Sequence, residues 1–169
     1  VKLLAGILFL QIIVSAQQAA FDVLHYKFNI GLNDVNDTIY GVAEISVKFI
    51  KTTDQLSFDL GLRNKDGKGM IVGKVEGTSV SGMMSQEDKI SILLNKPIHA
   101  GDTASFIIQY YGIPTDGLII SKTKYGHRSF FADNWPNRGH YWLPCHDDPA
   151  DKATVEFLVT APDHYQVVA

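Results

Sequence analysis

The chain has 169 residues, a formal net charge of −3, and 46% hydrophobic and 20% charged residues. This length and composition suit one folded domain and exclude a wholly disordered chain. The sequence has no basic block, which argues against nucleic acid as a partner.

Residues 1–16 have the pattern of a secretory signal peptide. A positive start at Lys2 is followed by about twelve nearly unbroken apolar residues up to Val14, and then by small residues ending at Ala16. The apolar run is shorter than the roughly 20 residues of a membrane-spanning helix, so no transmembrane span is expected. A buried N-terminal strand or helix is the alternative. With the signal peptide removed, residues 17–169 form an exported mature protein: periplasmic, secreted or at the cell surface.

The mature chain alternates apolar and polar residues with a period of two, which is typical of half-buried strands. Two such segments, "VLHYKFNIGL" and "AEISVKFIK", flank the turn-forming residues "NDVNDT" and predict a long hairpin. Their apolar faces carry Tyr26, Phe28 and Ile30, and Ala43, Ile45, Val47 and Phe49. Further strands are predicted at "QLSFDL", "MIVGKVEG", "KISILLN", "ASFIIQYYG", "GLIISK", "TVEFLVTAP" and "HYQVVA".

Strands recur about every ten residues without a convincing amphipathic helix, which indicates an all-β fold. The expected architecture is a curved, saddle-like antiparallel sheet or a β-sandwich.

The stretch "GHYWLPCHDDPADKATVEF", residues 139–157, concentrates the chemically versatile side chains. It holds the only cysteine, two histidines and three aspartates, but the chain has no H-E-x-x-H zinc helix. A His-Cys-His-Asp metal site around His140 and His146, a Cys145–His146 nucleophile pair and a hydrogen-bonded turn are the alternatives. Adjacent strand residues point apart, which disfavours the nucleophile pair, and local hydrogen bonding is the common outcome for such residues.

A turn explains the acidic part of this stretch. Asp148 before Pro149 favours an extended conformation followed by a bend. The carboxylates of Asp147, Asp148 and Asp151 can accept backbone N–H bonds, and Lys152 can pair with one of them. Cys145 is interpreted as a small buried hydrophobic residue, since a lone cysteine cannot form an internal disulfide.

The segment "WLPCHDDPADKATVEFLVTAP" resembles the P-C-x-D-E-P-x-x-K-A-x-F motif of the aminopeptidase N family of zinc metallopeptidases. The matching positions are Pro144, Cys145, Asp147, Pro149, Lys152 and Ala153. The preceding "FFADNWPNRGHYWLP" is similar to the form found in bacterial branches, while the first hairpin and "LSFDLG" resemble the family's opening strands. Asp148 stands where the family has Glu, and His146 stands at a variable or apolar position.

This resemblance implies an N-terminal β-domain beside an active site that later sequence supplies. It implies zinc in the full-length enzyme, a peptide substrate and a C-terminal catalytic domain of the same polypeptide as partner. No catalytic residue and no metal ligand is expected in this chain, and no cofactor for the chain by itself. The motif residues Pro144, Cys145, Asp147, Asp148, Pro149 and Lys152 are then structural.

One substrate contact is also implied by the resemblance. Family members carry a Gln twelve residues before the motif cysteine that helps to hold the substrate's free α-amine. An ungapped count from Cys145 reaches Asp133, whose carboxylate is a good acceptor for an ammonium group. Asn134 is the candidate if the register shifts by one, and a structural turn before Trp135 is the alternative to either role.

The function expected from the resemblance is that of an exported zinc aminopeptidase of which this chain is the N-terminal domain. The alternative is a stand-alone secreted β-sandwich that binds a peptide or a glycan through the aromatic-rich residues 125–142. The sequence beyond Ala169 separates the two, since an H-E-x-x-H motif there supports the enzyme.

We predict that residues 1–16 are removed on export, because the apolar run has signal-peptide length and ends in small residues. Mass spectrometry of the exported protein should find an N-terminus at or near Gln17. A soluble, folded protein that retains the intact apolar N-terminus would contradict the prediction.

Overall fold

The computed structural model describes residues 20–168, so the predicted signal peptide lies outside the described part. These residues contain one short 3₁₀ turn, Gly139–Tyr141, and otherwise only strands as regular structure. The strands are β1 (Phe21–Gly31), β2 (Ile39–Phe49), β3 (Thr53–Asp59), β4 (Gly69–Gly77), β5 (Val80–Gln86), β6 (Lys89–Ile98), β7 (Thr103–Ile113), β8 (Leu118–Lys122), β9 (Arg128–Ala132) and β10 (Thr154–Thr160).

Three sheets organise the described residues. A five-stranded sheet has the order β10-β1-β2-β7-β4, a three-stranded sheet has the order β3-β6-β5, and β8 pairs with β9 alone. Every pairing is antiparallel except that of β10 with β1, which is parallel. The prediction of an all-β, sandwich-like fold is therefore confirmed, with a mixed rather than wholly antiparallel large sheet.

The predicted opening hairpin is confirmed in both its turn and its faces. The Asn33 carboxamide accepts hydrogen bonds from the backbone N–H groups of Val35 and Asn36 and donates to the carbonyl of Thr38. The apolar side chains of β1 and β2 that were predicted to share one face are all buried. Turn chemistry and strand period thus lead to the same structure.

The core forms where the five-stranded sheet packs against the three-stranded one. Phe58 and Phe106, one from each sheet, are fully buried in a single apolar cluster. The Phe21 and Phe58 rings meet across the two sheets with their centroids 5.4 Å apart. Large aromatic rings contribute most of the apolar area in such cores, so this contact joins the two sheets.

Two predictions about strands need correction. The strand predicted at "HYQVVA" is not formed in residues 164–168, because Tyr165 closes a turn by donating its N–H to the Pro162 carbonyl at 3.0 Å. Conversely, β5 and β9 were not predicted. In β5 every residue is exposed or only half-buried, so its sequence has no buried apolar face that could signal a strand.

Strand β10 lies at an edge of the five-stranded sheet and is exposed along most of its length. The Thr154 hydroxyl joins its beginning to β1 by donating to the Leu24 carbonyl at 3.1 Å. Phe157 stacks on Phe28 with ring centroids 5.4 Å apart. A side-chain bond and a ring contact therefore reinforce the parallel ladder.

Candidate functional site

The motif segment that follows the 3₁₀ turn is attached to β3. Asp59 donates its backbone N–H to the Cys145 carbonyl at 2.7 Å, and Cys145 returns the bond to the Asp59 carbonyl at 3.1 Å. Just before the motif, Trp142 and Leu143 are buried in the core. The segment is thus held by backbone bonds on one side and by apolar packing on the other.

Two separate histidine–aspartate pairs stabilise the motif. Nδ1 of His140 lies 2.7 Å from Oδ2 of Asp147, and Nδ1 of His146 lies 2.8 Å from Oδ2 of Asp151. The second carboxylate also accepts the backbone N–H of Val23 at 3.3 Å, which ties the motif to β1. Each histidine is therefore engaged by its own aspartate.

The acidic turn forms as the residue types predicted, with one exception. Asp148 accepts a hydrogen bond from the Ala150 backbone N–H at 2.9 Å through its side chain, and its carbonyl accepts from Asp151 at 3.0 Å. The expected ion pair of Lys152 is not present among residues 20–168, since its side chain is exposed to water. Pro149 lies at the exposed bend, and Pro144 is buried just before Cys145.

Cys145 packs against the edge of the apolar core. Burial raises the pKa of its thiol well above the ordinary range, and the nearby carboxylates of Asp147 and Asp59 raise that pKa further. A protonated thiol is a poor nucleophile and a poor metal ligand. The interpretation of Cys145 as a small hydrophobic residue agrees with this environment.

A metal site was one of the alternatives for the motif in the sequence analysis. Within the described part of the chain, no three His, Cys, Asp or Glu side chains converge as a metal site would require. His140 and His146 face different aspartates, so the motif does not offer the tetrahedral donor set that zinc prefers.

The candidate substrate residues lie in the loop between β9 and the 3₁₀ turn. Arg138 organises this loop: its guanidinium donates to Oδ2 of Asp133 at 2.7 Å and to the Trp135 carbonyl at 2.8 Å. A second nitrogen of the same guanidinium lies 3.6 Å from Oδ1 of Asp116. Two carboxylates therefore share one cation. The cluster of Asp133, Asp116 and Arg138 has a net charge of about −1 at neutral pH.

Asn134 is engaged differently. Its side-chain oxygen accepts a hydrogen bond from the indole N–H of Trp142 at 2.9 Å, and its carbonyl accepts from the Arg138 backbone at 3.0 Å. The neutral oxygen of Asn134 is thus already engaged by one donor, whereas Asp133 offers a charged carboxylate. Charge-assisted bonds are the stronger ones, so the chemistry favours Asp133 over Asn134 as an acceptor for an amine.

Gly117 permits the close approach of this loop to β8. Gly117 has a φ of +74°, in the left-handed region that favours glycine, and a Cβ there would lie 2.1 Å from the Arg138 carbonyl oxygen. The Gly117 carbonyl also accepts the Asp133 backbone N–H at 2.7 Å. A larger residue at position 117 would therefore displace the loop that carries Asp133.

An apolar cavity of about 430 Å³ lies beside the loop. Its walls come from the β8–β9 hairpin, the ends of β1 and β10, and the segment after β10, and they include Leu118, Phe130, Asn134, Trp142 and Phe157. Asn134 thus faces the cavity, whereas Asp133 does not line it.

Sequence reasoning located the motif and the loop but missed the residues that organise them. Asp59, Arg138 and Tyr26 carry the connecting bonds; the Tyr26 hydroxyl accepts the His146 backbone N–H at 2.9 Å. All three lie in segments that the sequence analysis quoted, but their partners are distant or depend on the loop conformation, so only the folded structure identifies these bonds.

Comparison with known proteins agrees with the geometry. The family model for the peptidase M1 N-terminal domain matches residues 23–169, and the chain belongs to this family. No match was found among curated proteins.

Solved structures support the same fold. An M1 zinc metallopeptidase from Deinococcus radiodurans is 24% identical with a TM-score of 0.68, over 86% of this chain and 33% of that one. A mutant of the same enzyme bound to a Tyr-Ser-Ala substrate is 22% identical with a TM-score of 0.67, over 85% and 33% of the two chains. The chain therefore spans about a third of the length of these relatives.

None of the helices in residues 20–168 is long and apolar enough to cross a membrane.

We predict that the Cys145 thiol reacts slowly in the folded protein, because burial keeps it protonated. Alkylation by iodoacetamide at pH 8 should be at least about tenfold slower in buffer than in denaturant. Mass spectrometry of quenched samples measures the two rates. Equal rates would show that the thiol is accessible and ionised in the folded state.

Proposed function

We propose that the chain is the N-terminal β-domain of an exported zinc aminopeptidase that removes N-terminal residues from peptides. The observation that carries this proposal is the match of the peptidase M1 N-terminal domain over residues 23–169. Export is supported by the signal-peptide pattern of residues 1–16.

Zinc belongs to the full-length enzyme in this proposal. The donor set of the described residues does not fit the metal, because His140 and His146 are held by separate aspartates. The zinc ligands and the general base would come from later sequence. When bound there, zinc would activate water against the first peptide bond.

The contribution of this chain to the reaction is to bind and orient the substrate's α-ammonium group. Asp133 uses Oδ2 for Arg138, which leaves Oδ1 free to accept from an ammonium. Asp116 adds a second carboxylate to the same cluster, so the cluster attracts a cation in spite of the guanidinium. A charge-assisted bond of this kind both adds affinity and fixes orientation.

The partner of this domain would be the C-terminal catalytic domain of the same polypeptide. Trp135 and Phe131 are 79% and 62% exposed beside the loop that carries Asp133. Large exposed aromatic side chains close to a candidate site favour a covering partner. The match covers 86% of this chain but only 33% of the matched structure, which supports the presence of such a domain.

A stand-alone secreted β-sandwich that binds a peptide or a glycan is the second candidate. The observation that favours it is the aromatic surface of residues 125–142, where Tyr125 is 75% exposed in addition to Trp135 and Phe131. A stop codon soon after Ala169 in the gene would favour this module over the enzyme.

We expect the full-length protein to release the N-terminal residue from an aminoacyl anilide and to hold about one zinc ion per chain. Chelation should abolish the activity and added zinc should restore it. The 169-residue chain alone should not hydrolyse the anilide. Metal analysis and anilide hydrolysis provide the measurements. A full-length protein without activity on any aminoacyl anilide would contradict the proposed aminopeptidase activity.

We expect Asp133→Asn in the full-length enzyme to lower kcat/KM roughly ten- to a hundredfold, because the charged acceptor for the substrate's ammonium is lost. The loss should be confined to substrates with a free α-amine. Asp37→Asn is the matched control, since it also removes a carboxylate that pairs with an arginine, Arg128, but it lies outside the Asp133 cluster. Unchanged kcat/KM in Asp133→Asn, or an equal loss in both variants, would remove Asp133 from the substrate site.

A further inference from the structure

The outward face of the five-stranded sheet, opposite the core, carries a groove that the proposed peptidase function does not use. The groove has a volume of about 550 Å³ and crosses β1, β2, β7 and β4. This volume lies within the range of about 300–1,000 Å³ of small-molecule sites. Its outward position follows from β2, where exposed Tyr40 alternates with buried Ile39 and Gly41.

Two tyrosines form one wall of the groove. Tyr40 on β2 and Tyr111 on β7 are directly paired neighbours in the sheet. Their rings are nearly parallel, with an angle of 21° and centroids 6.1 Å apart, and the side chains are 59% and 40% exposed. Exposed aromatic rings offer apolar faces that can pack on the C–H groups of a ligand.

The polar groups of the groove are available to a ligand. Among residues 20–168, the carboxamides of Asn29 and Gln109 make no hydrogen bond to another protein group. A carboxamide both donates and accepts, which matches a hydroxyl group that also does both. Lys74 is the charged residue of the groove, and its ammonium is paired with Glu76 at 2.6 Å.

Glycines keep the groove open. Gly31 and Gly73 lie along it on β1 and β4. A Cβ at Gly31 would meet only Tyr40, at the ordinary contact distance of 3.7 Å, so the position could accept a side chain without a clash. A larger residue there would fill the groove from β1 while leaving the ladder intact.

From these features we propose that the groove binds a neutral oligosaccharide. The neighbouring tyrosine rings can pack on apolar C–H faces, and the two carboxamides can bond to hydroxyl groups. The charge of Lys74 is balanced by Glu76, which suits a ligand without charge. A peptide would need free backbone groups, but β1, β2 and β7 are paired on both sides in this sheet. A nucleic acid is disfavoured by the net charge of −3.

The test uses the purified protein and isothermal titration with chitotetraose, cellotetraose and maltotetraose as probes. We expect at least one tetrasaccharide to bind, and we expect Tyr40→Ala, Tyr111→Ala and Gly31→Val each to weaken that binding at least tenfold. Met84→Ala is the matched control, because Met84 is 55% exposed on β5 of the three-stranded sheet and lies outside the groove. Its binding should be unchanged.

Thermal unfolding of each variant shows whether the fold is retained, and Gly31→Val keeps the test informative if a tyrosine variant is unstable. Three results would overturn the proposal: no binding of any tetrasaccharide at millimolar concentration, binding that both Tyr40→Ala and Gly31→Val retain, or binding of an N-acetylated tetrapeptide alone. Zinc and aminopeptidase activity do not enter the assay, so its outcome is independent of the proposed enzyme.

Discussion

The reciprocal backbone bonds between Asp59 and Cys145 determine where the motif lies on the sandwich. The side chain of Asp59 reinforces them, since Oδ2 accepts the Asp147 backbone N–H at 3.2 Å and Oδ1 binds the Lys89 ammonium. One residue at the end of β3 thus receives bonds from the motif and from β6. This attachment therefore helps to fix the direction from which Trp142 and Leu143 enter the core.

The acidic residues of the motif are stable because each has a donor. Asp147 and Asp151 are paired with histidines, and Asp148 caps its own turn. Carboxylates that accept several hydrogen bonds can lie close together without a metal ion between them. A cluster that resembles a metal centre in sequence is therefore a hydrogen-bonded corner in structure.

The sequence was sufficient where local rules decide the structure. The alternation of β1 and β2 and the Asn33 turn predicted the first hairpin, and Asp148 before Pro149 predicted the bend of the motif. It was insufficient where contacts between residues far apart in the sequence determine the structure. The N–H of Tyr165 closes a turn that ends the predicted last strand, β5 is a strand because β6 pairs with it, and Arg138 reaches Asp133 and Asp116 only in the folded loop. The substrate role of Asp133 stays a prediction.

The parallel pairing of β10 with β1 has a consequence for the order of folding. Thr154 meets His25 across 129 positions of the chain, whereas β1 and β2 are joined by a short turn. Closing so long a loop is entropically costly and slow, so the opening hairpin should form early and β10 should join it late. During synthesis on the ribosome, the outer edge of β1 stays open until Thr160 has emerged. In that interval the nascent chain presents an unpaired strand to its surroundings, and a chaperone that shields this edge would protect it from misassembly.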